Sequence, residues 1–340
     1  MAAPADRTVL EAFVEAFVDD AGRSGYADLG RRQRPPFGNL GYGAAGVAYA
    51  LAQAGDALGE PRWRRLAARW IAPAVAASRR AETLASPDAR RPPPRASLFF
   101  GLAGLHFADA RVATSPERRA RAVRRFQAAA LDPDDNDLYL GAAGVRIAAT
   151  RLGLRGQELV APRAPARLAW GDPRGWLAHG NAGTLLAMVT AGRAPDAGLA
   201  ALADEYLALL RRSTGPAPFR GSICKGSAGM ALLYAAAWER LRRPLYLEVA
   251  RAAAEDVETS RADGASLCCG AGGGAYALLA LARTDGRSWR ERAMRRARAA
   301  VTMSDPGLRY GGILGGQAGL FCLAADLIGS AKDGFPGLET

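Results

Sequence analysis

A chain of 340 residues, 49% hydrophobic and 23% charged, can bury a large core and is not a disordered protein. The formal net charge of +12 comes largely from arginines at helical intervals, such as Arg118, Arg119, Arg121, Arg124 and Arg125. No recognition motif or aromatic interleaving accompanies it, so no nucleic-acid partner is expected, although the field would attract acidic peptides.

The opening MAAPADRTVLEAFVEAFVDD carries acids inside its apolar stretch, unlike a signal peptide, and predicts a helix over Thr8 to Asp20. No run of about 18 apolar residues lacks a charge, so no membrane span is expected and the location indicated is cytoplasmic. Gly41, Gly43 and Gly46 spell the dinucleotide fingerprint GxGxxG, but RRQRPPFGNL before them is not a strand, which excludes a Rossmann site.

Those glycines belong instead to a repeat. Gly-x-[Ala/Gly]-Gly begins at Gly43, Gly101, Gly141, Gly180, Gly226, Gly270 and Gly316, at spacings of 58, 40, 39, 46, 44 and 46 residues. Each signature is followed by a short segment that is apolar nearly all round, as a buried helix should be. Between signatures lie amphipathic helices rich in Arg and Glu. One starts with Ser115 as N-cap and Pro116 at the first helical position; others fit Leu199 to Arg212, Leu245 to Ser260 and Trp289 to Met303. The stretch SPDARRPPPRAS, with Pro92 to Pro94, reads as an exposed loop. Helix pairs at a period of about forty residues predict one all-α domain over residues 1–340, an α,α-toroid with seven inner and about seven outer helices.

The chemistry sits just ahead of the later signatures. Cys224 lies in GSICKGSAG, Cys268 and Cys269 in SLCCGAGG, and His179 in WLAHGNAG. Equivalent positions of a toroid converge on one end of its cavity. Three thiolates with one open position suit catalytic zinc, and soft sulfur disfavours calcium and magnesium. Inert packing or a vicinal Cys268–Cys269 disulfide are the competing readings. Cys322, inside GLFCLAADL, reads as core, and His106, inside GLHFADA, as a packed or network histidine.

With these motifs in place, nearly the whole chain resembles the lanthionine synthetase C family of toroidal cyclases. That family carries Trp-Cys-x-Gly, Ala-His-Gly and Cys-His-Gly motifs, which match Ile223-Cys224-Lys225-Gly226, Ala178-His179-Gly180 and Cys268-Cys269-Gly270 here. An arginine four residues before the first zinc cysteine corresponds to Arg220, and an aspartate four residues before the third signature to Asp137. Ile223 replaces the tryptophan, Lys225 a frequent Tyr or His, and Cys269 a histidine ligand. Some branches of the family use Cys-Cys-Gly, so the last change does not argue against zinc.

The resemblance implies zinc held by Cys224, Cys268 and Cys269, and addition of peptide cysteine thiols to dehydroalanine or dehydrobutyrine, forming (methyl)lanthionine rings. It further implies His179 as acid/base, Asp137 orienting it, and Arg220 or Lys225 stabilising the enolate. The substrate would be a dehydrated precursor peptide supplied by a separate dehydratase or kinase-lyase component, or by other domains of a longer synthetase. Two other functions fit the same motifs: an enzyme adding a thiol such as glutathione to dehydrated residues, and a non-catalytic peptide-binding scaffold. DPDDND lacks a clean Asp-Asp-x-x-Asp spacing and no sugar-cleaving acid pair stands out, which disfavours a terpene cyclase or glycosidase.

Overall fold

The computed structural model describes all residues except 1–3, 33–36, 85–92, 132–135, 155–167, 171–172, 214, 216, 218, 263, 286–287, 305–310, 330–333 and 339–340. The described residues form fourteen α-helices and no strand. They are α1 (Pro4–Arg23), α2 (Tyr26–Arg32), α3 (Ala44–Leu58), α4 (Arg62–Ala77), α5 (Leu102–Val112), α6 (Pro116–Ala129) and α7 (Ala142–Arg151). The second half adds α8 (Asn181–Thr190), α9 (Asp196–Arg212), α10 (Ser227–Leu241), α11 (Pro244–Thr259), α12 (Ala271–Asp285), α13 (Trp289–Met303) and α14 (Gln317–Ile328).

Each glycine signature opens one inner helix: α3, α5, α7, α8, α10, α12 and α14. Their residues are almost all buried, as a segment without a polar face requires. The seven pack in sequence, α3 on α5, α7, α8, α10 and α12 in turn, and α14 returns to α3, closing a ring. Outer helices bury one face each against it. Ser115 caps α6 by accepting the Arg118 amide, with Pro116 at the first position, as the sequence indicates. The expected helix over Thr8 to Asp20 is the longer α1, and the others agree with their predicted ranges to within three residues.

The seventh outer position is filled from the other end of the chain. α1 packs on α14 and lies between α13 and α4, with Phe17 stacked on Phe321 at 4.3 Å between ring centroids. The outer helix expected between α7 and α8 falls largely on residues 155–167 and 171–172, outside the described residues; so does most of the proline-rich loop. The described outer layer is therefore α1, α4, α6, α9, α11 and α13, with the short α2 against α4.

Close approach explains the last glycine of each signature. A Cβ on Gly104 would lie 1.5 Å from the Leu98 carbonyl oxygen, and one on Gly183 2.2 Å from that of Leu177. The residue six before that glycine is Leu40, Leu98, Leu138, Leu177, Ile223, Leu267 or Ile313, and all seven are completely buried. Each of these from Leu40 to Leu267 presses on the last glycine of the next signature, while Gly46 meets Gly312 and Ile313, so the layer also closes. Ile223 thus belongs to a ring of aliphatic side chains. Burying each contributes about 1.5–3 kcal/mol.

The turns ahead of the inner helices are joined edge to edge. Gly41 N donates to Phe99 O, Ser97 Oγ to Tyr139 O, and Tyr139 N to Ala178 O. Ala178 N donates to Cys224 O, Cys224 N to Cys268 O, Cys268 N to Leu314 O, and Leu314 N back to Gly41 O. This hydrogen-bonded rim satisfies turn groups that could not otherwise be buried at the centre, and it fixes what the turns carry.

Candidate metal centre

Five of the seven turns are braced by a short polar side chain four residues before the first glycine, accepting the amide of the residue just before that glycine. Asn39, Ser97, Ser222 and Ser266 do this for Tyr42, Phe100, Lys225 and Cys269, at 2.8 to 3.3 Å. Asp137 accepts from both Tyr139 N and Leu140 N, at 2.6 and 2.7 Å. These local bonds favour a turn over continued helix and aim the next two side chains inward.

The three cysteines meet there. The sulfurs of Cys224, Cys268 and Cys269 all lie within 4.8 Å of one another, with Cys224–Cys269 at 3.1 Å and Cys268–Cys269 at 3.5 Å. Two sulfurs bound to one zinc at about 2.3 Å with tetrahedral angles stand about 3.8 Å apart, so small side-chain shifts accommodate the ion. All three are free thiols, which sets aside the vicinal disulfide. Cys224 is buried, Cys268 half-buried and Cys269 exposed, so the cluster opens toward solvent on the Cys269 side.

Hydrogen bonds link the three sulfurs. Hydrogen bonds from the Cys268 and Cys269 thiols, against the cost of burial, pull the Cys224 thiol well below its ordinary value. The same bonds, given up when either donor ionises, push Cys268 and Cys269 upward. A thiol whose ionisation its neighbours favour suits a metal that binds by displacing protons.

His179 and Asp137 form a pair beside this cluster, Nδ1 to Oδ2 at 2.6 Å. Burial lowers the imidazole pKa most, but the Asp137 hydrogen bond and charge, aided by Cys224, outweigh it and leave the pKa raised; Lys225 opposes. The carboxylate holds Nδ1–H and leaves Nε2 for chemistry. The charge of Lys225 also reaches Cys224 and Cys269, so it lies near the cluster. Its Nζ sits 5.2 Å from the ring centroid of Phe219, an exposed residue with φ of 61°, a left-handed conformation costly for an aromatic.

Arg220 is placed differently. Its guanidinium grips Asp256, with Nε to Oδ1 at 2.8 Å, donates to Gly215 O at 2.6 Å and lies over the Trp170 ring at 5.4 Å. Asp256 Oδ2 accepts from Ser227 Oγ, which in turn accepts from Tyr206. The Arg220 carbonyl accepts Ser227 N, so this network anchors the turn carrying Cys224.

Tyr139 is a site residue that the sequence motifs do not single out. Its hydroxyl lies 3.9 Å from Cys268 Sγ and its ring packs edge-on to His179, centroids 5.5 Å apart. Burial, then the nearby Cys268 charge, raises its pKa well above the ordinary phenol, keeping it a donor. The signal it does carry is position: Tyr139 stands two residues before its signature, as Cys224 and Cys268 do. Cys322 is core, fully buried in α14, and His106 is packed inside α5.

Residues 173–340 match the family model described as lanthionine synthetase C-like protein. Just under half of the chain is thus similar to lanthionine synthetase C-like proteins. The matched region holds His179, Cys224, Cys268 and Cys269, while Asp137 and Tyr139 come from the other half. Among solved structures the chain is similar to one titled nisin cyclase, with a TM-score of 0.60 and 15% identity over 93% of this chain and 92% of that one. The likeness supports the α,α-toroid along nearly the full length. No curated protein sequence is significantly similar to this one.

Proposed function

We propose that this protein is a zinc-dependent peptide cyclase that closes thioether rings by adding peptide cysteine thiols to dehydroalanine or dehydrobutyrine. The observation that carries the reading is the convergence of three free cysteine sulfurs beside the Asp137–His179 pair at one end of a lanthionine synthetase C-like toroid. The name of its structural neighbour, nisin cyclase, is consistent with it.

Cys224, Cys268 and Cys269 would hold the zinc, which when bound supplies an open position where a substrate thiol is acidified. The protein's own groups manage the remaining charge and protons. His179, oriented through Nδ1 by Asp137, presents Nε2 to deliver a proton to the substrate α-carbon after carbon–sulfur bond formation. Lys225 is the cation placed to offset enolate charge. Tyr139 donates toward Cys268 and supports the imidazole ring, while Arg220 acts by positioning the Cys224 turn. Thiol ligands require reducing surroundings, which favours the cytoplasm, and no helix among the described residues is long and apolar enough to cross a membrane. The dehydrated residues would come from a separate dehydratase activity.

Metal analysis of the purified protein, then mass spectrometry after incubation with a dehydrated precursor peptide, tests this directly. Stoichiometric zinc and alkylation-resistant cysteines in the product are expected. Metal-free protein, or product cysteines that remain alkylatable, would refute the reading, and intermolecular adducts with glutathione would reassign it.

A further inference from the structure

A second concave site lies on the outer wall, between α4, α5 and α6. It is a cavity of about 720 Å³ whose mixed lining includes the apolar Val75 and Leu102. Arg79, Arg95 and Arg125 line it, from three separate segments. All three are exposed, and none of their side chains makes a hydrogen bond or ion pair among the described residues. Some surface arginines elsewhere on this protein find carboxylates, as Arg64 does with Asp56 and Arg118 with Asp109, and others, such as Arg124, stand alone without gathering in a cavity. Here three cations share one cavity with no described acid in its lining.

His106 supplies an independent sign of a missing partner. It lines the same cavity, is 7% exposed, and its buried Nδ1 has no hydrogen-bond partner. Leaving such an atom unpaired is costly, so a native site that does so is a candidate for a ligand. Burial, then the charge of Arg125, holds the imidazole at about 4, and the opposing carboxylate of Asp109 is already paired with Arg118. The ring is neutral near neutral pH and has one N–H to donate.

Size and chemistry narrow the occupant. The volume suits a ligand of several residues, and a lone phosphate would leave Val75 and Leu102 uncovered. Leu102 directly follows Gly101 of the turn ring, so the cavity's lining reaches toward the barrel end that carries the cysteines. We propose that this cavity anchors an acidic stretch of the peptide substrate, its carboxylates meeting Arg79, Arg95 and Arg125 while an adjoining apolar side chain covers Val75 and Leu102. The proposal rests on the peptide-directed function above.

The test uses the full-length protein and a fluorescein-labelled octapeptide of alternating Glu and Leu, which has no cysteine and cannot cyclise, followed by anisotropy. Saturable binding is expected, weakened about tenfold by Arg95→Gln or Arg125→Gln, as loss of a charge-assisted contact would do. Arg124→Gln removes the same charge from an exposed neighbour and should leave affinity within about twofold if the cavity, and not the overall field, is responsible. An equal loss with Arg124→Gln would overturn the site. So would displacement by inorganic phosphate where chloride of equal ionic strength has no effect, which would assign the cavity to phosphate. Ring formation that persists while the cavity variants bind the peptide normally would defeat this anchor alone. Specific binding without ring formation on any dehydrated peptide would defeat only the cyclase reading.

Discussion

Asp137→Asn separates the two jobs of one carboxylate. Asp137 Oδ1 accepts the Tyr139 and Leu140 amides, and Oδ2 faces His179 Nδ1 at 2.6 Å. Asparagine keeps an oxygen for the turn but loses the charge that favours imidazolium. A charge-assisted hydrogen bond is worth about 1.5–3 kcal/mol, and the low end applies because the His179 side chain is 35% exposed. If that stabilisation is felt in the transition state, about 1.5 kcal/mol corresponds to a roughly tenfold slower proton transfer.

The pH dependence follows from the raised histidine pKa. Protonated His179 is the donor, so the rate should fall as pH rises through that value, and the fall should move to lower pH in Asp137→Asn. Stability obeys the same sign: the contribution of the pair is fully present below the ordinary histidine value of about 6.5 and is lost as pH rises through the raised one. Single-turnover ring formation against pH, with zinc content and thermal melting as controls, gives the measurement. An unchanged rate and an unshifted pH limb at full zinc occupancy would refute the assigned roles. Asp137→Ala should additionally lose about 1–2 kcal/mol of stability, because the Leu140 amide then lacks its partner, whereas Tyr139 N keeps Ala178 O.

The remaining predictions concern metal and fold. Serine at Cys224, Cys268 or Cys269 should abolish stoichiometric zinc, whereas Cys322→Ala should keep it and lose only about 1 kcal/mol of packing, as metal analysis and melting will report. Gly104→Ala should cost more than about 3 kcal/mol, since its Cβ would collide with the Leu98 carbonyl, while Gly22→Ala in α1, with nothing within 4 Å, should be neutral or stabilising by up to about 1 kcal/mol. Arg220→Gln should cost about 3 kcal/mol by leaving Asp256, whose side chain is 6% exposed, without its cation. Equal melting temperatures for Arg220→Gln and the parent protein would remove Arg220 from its positioning role.

Much of the site is legible in the sequence because a repeated turn cannot vary freely. The glycine signature marks where each inner helix starts, and the spacing of about forty residues is enough to place Cys224, Cys268, Cys269 and His179 on neighbouring turns. The aliphatic ring through Ile223 is equally present, three residues before each first glycine, but it reads as ordinary hydrophobicity until the glycines beneath it prove to lack room for a Cβ. Tyr139 is hidden for a similar reason: an isolated tyrosine gains meaning only from the thiol and imidazole it touches.

The amino-acid pattern by itself determined the helical repeat and the turn positions, because both depend on residues within a few positions of one another, and the spacing of about forty residues put the three cysteines on neighbouring turns. Tertiary structure alone decided how the ring closes and where long side chains point. α1 supplies the outer face for α14, across some three hundred residues, because hydrophobic burial at a closing seam ignores chain order. Arg220 lies four residues from Cys224 yet spends its donors on Asp256, since the balance of desolvation and pairing is settled by what a folded neighbour offers.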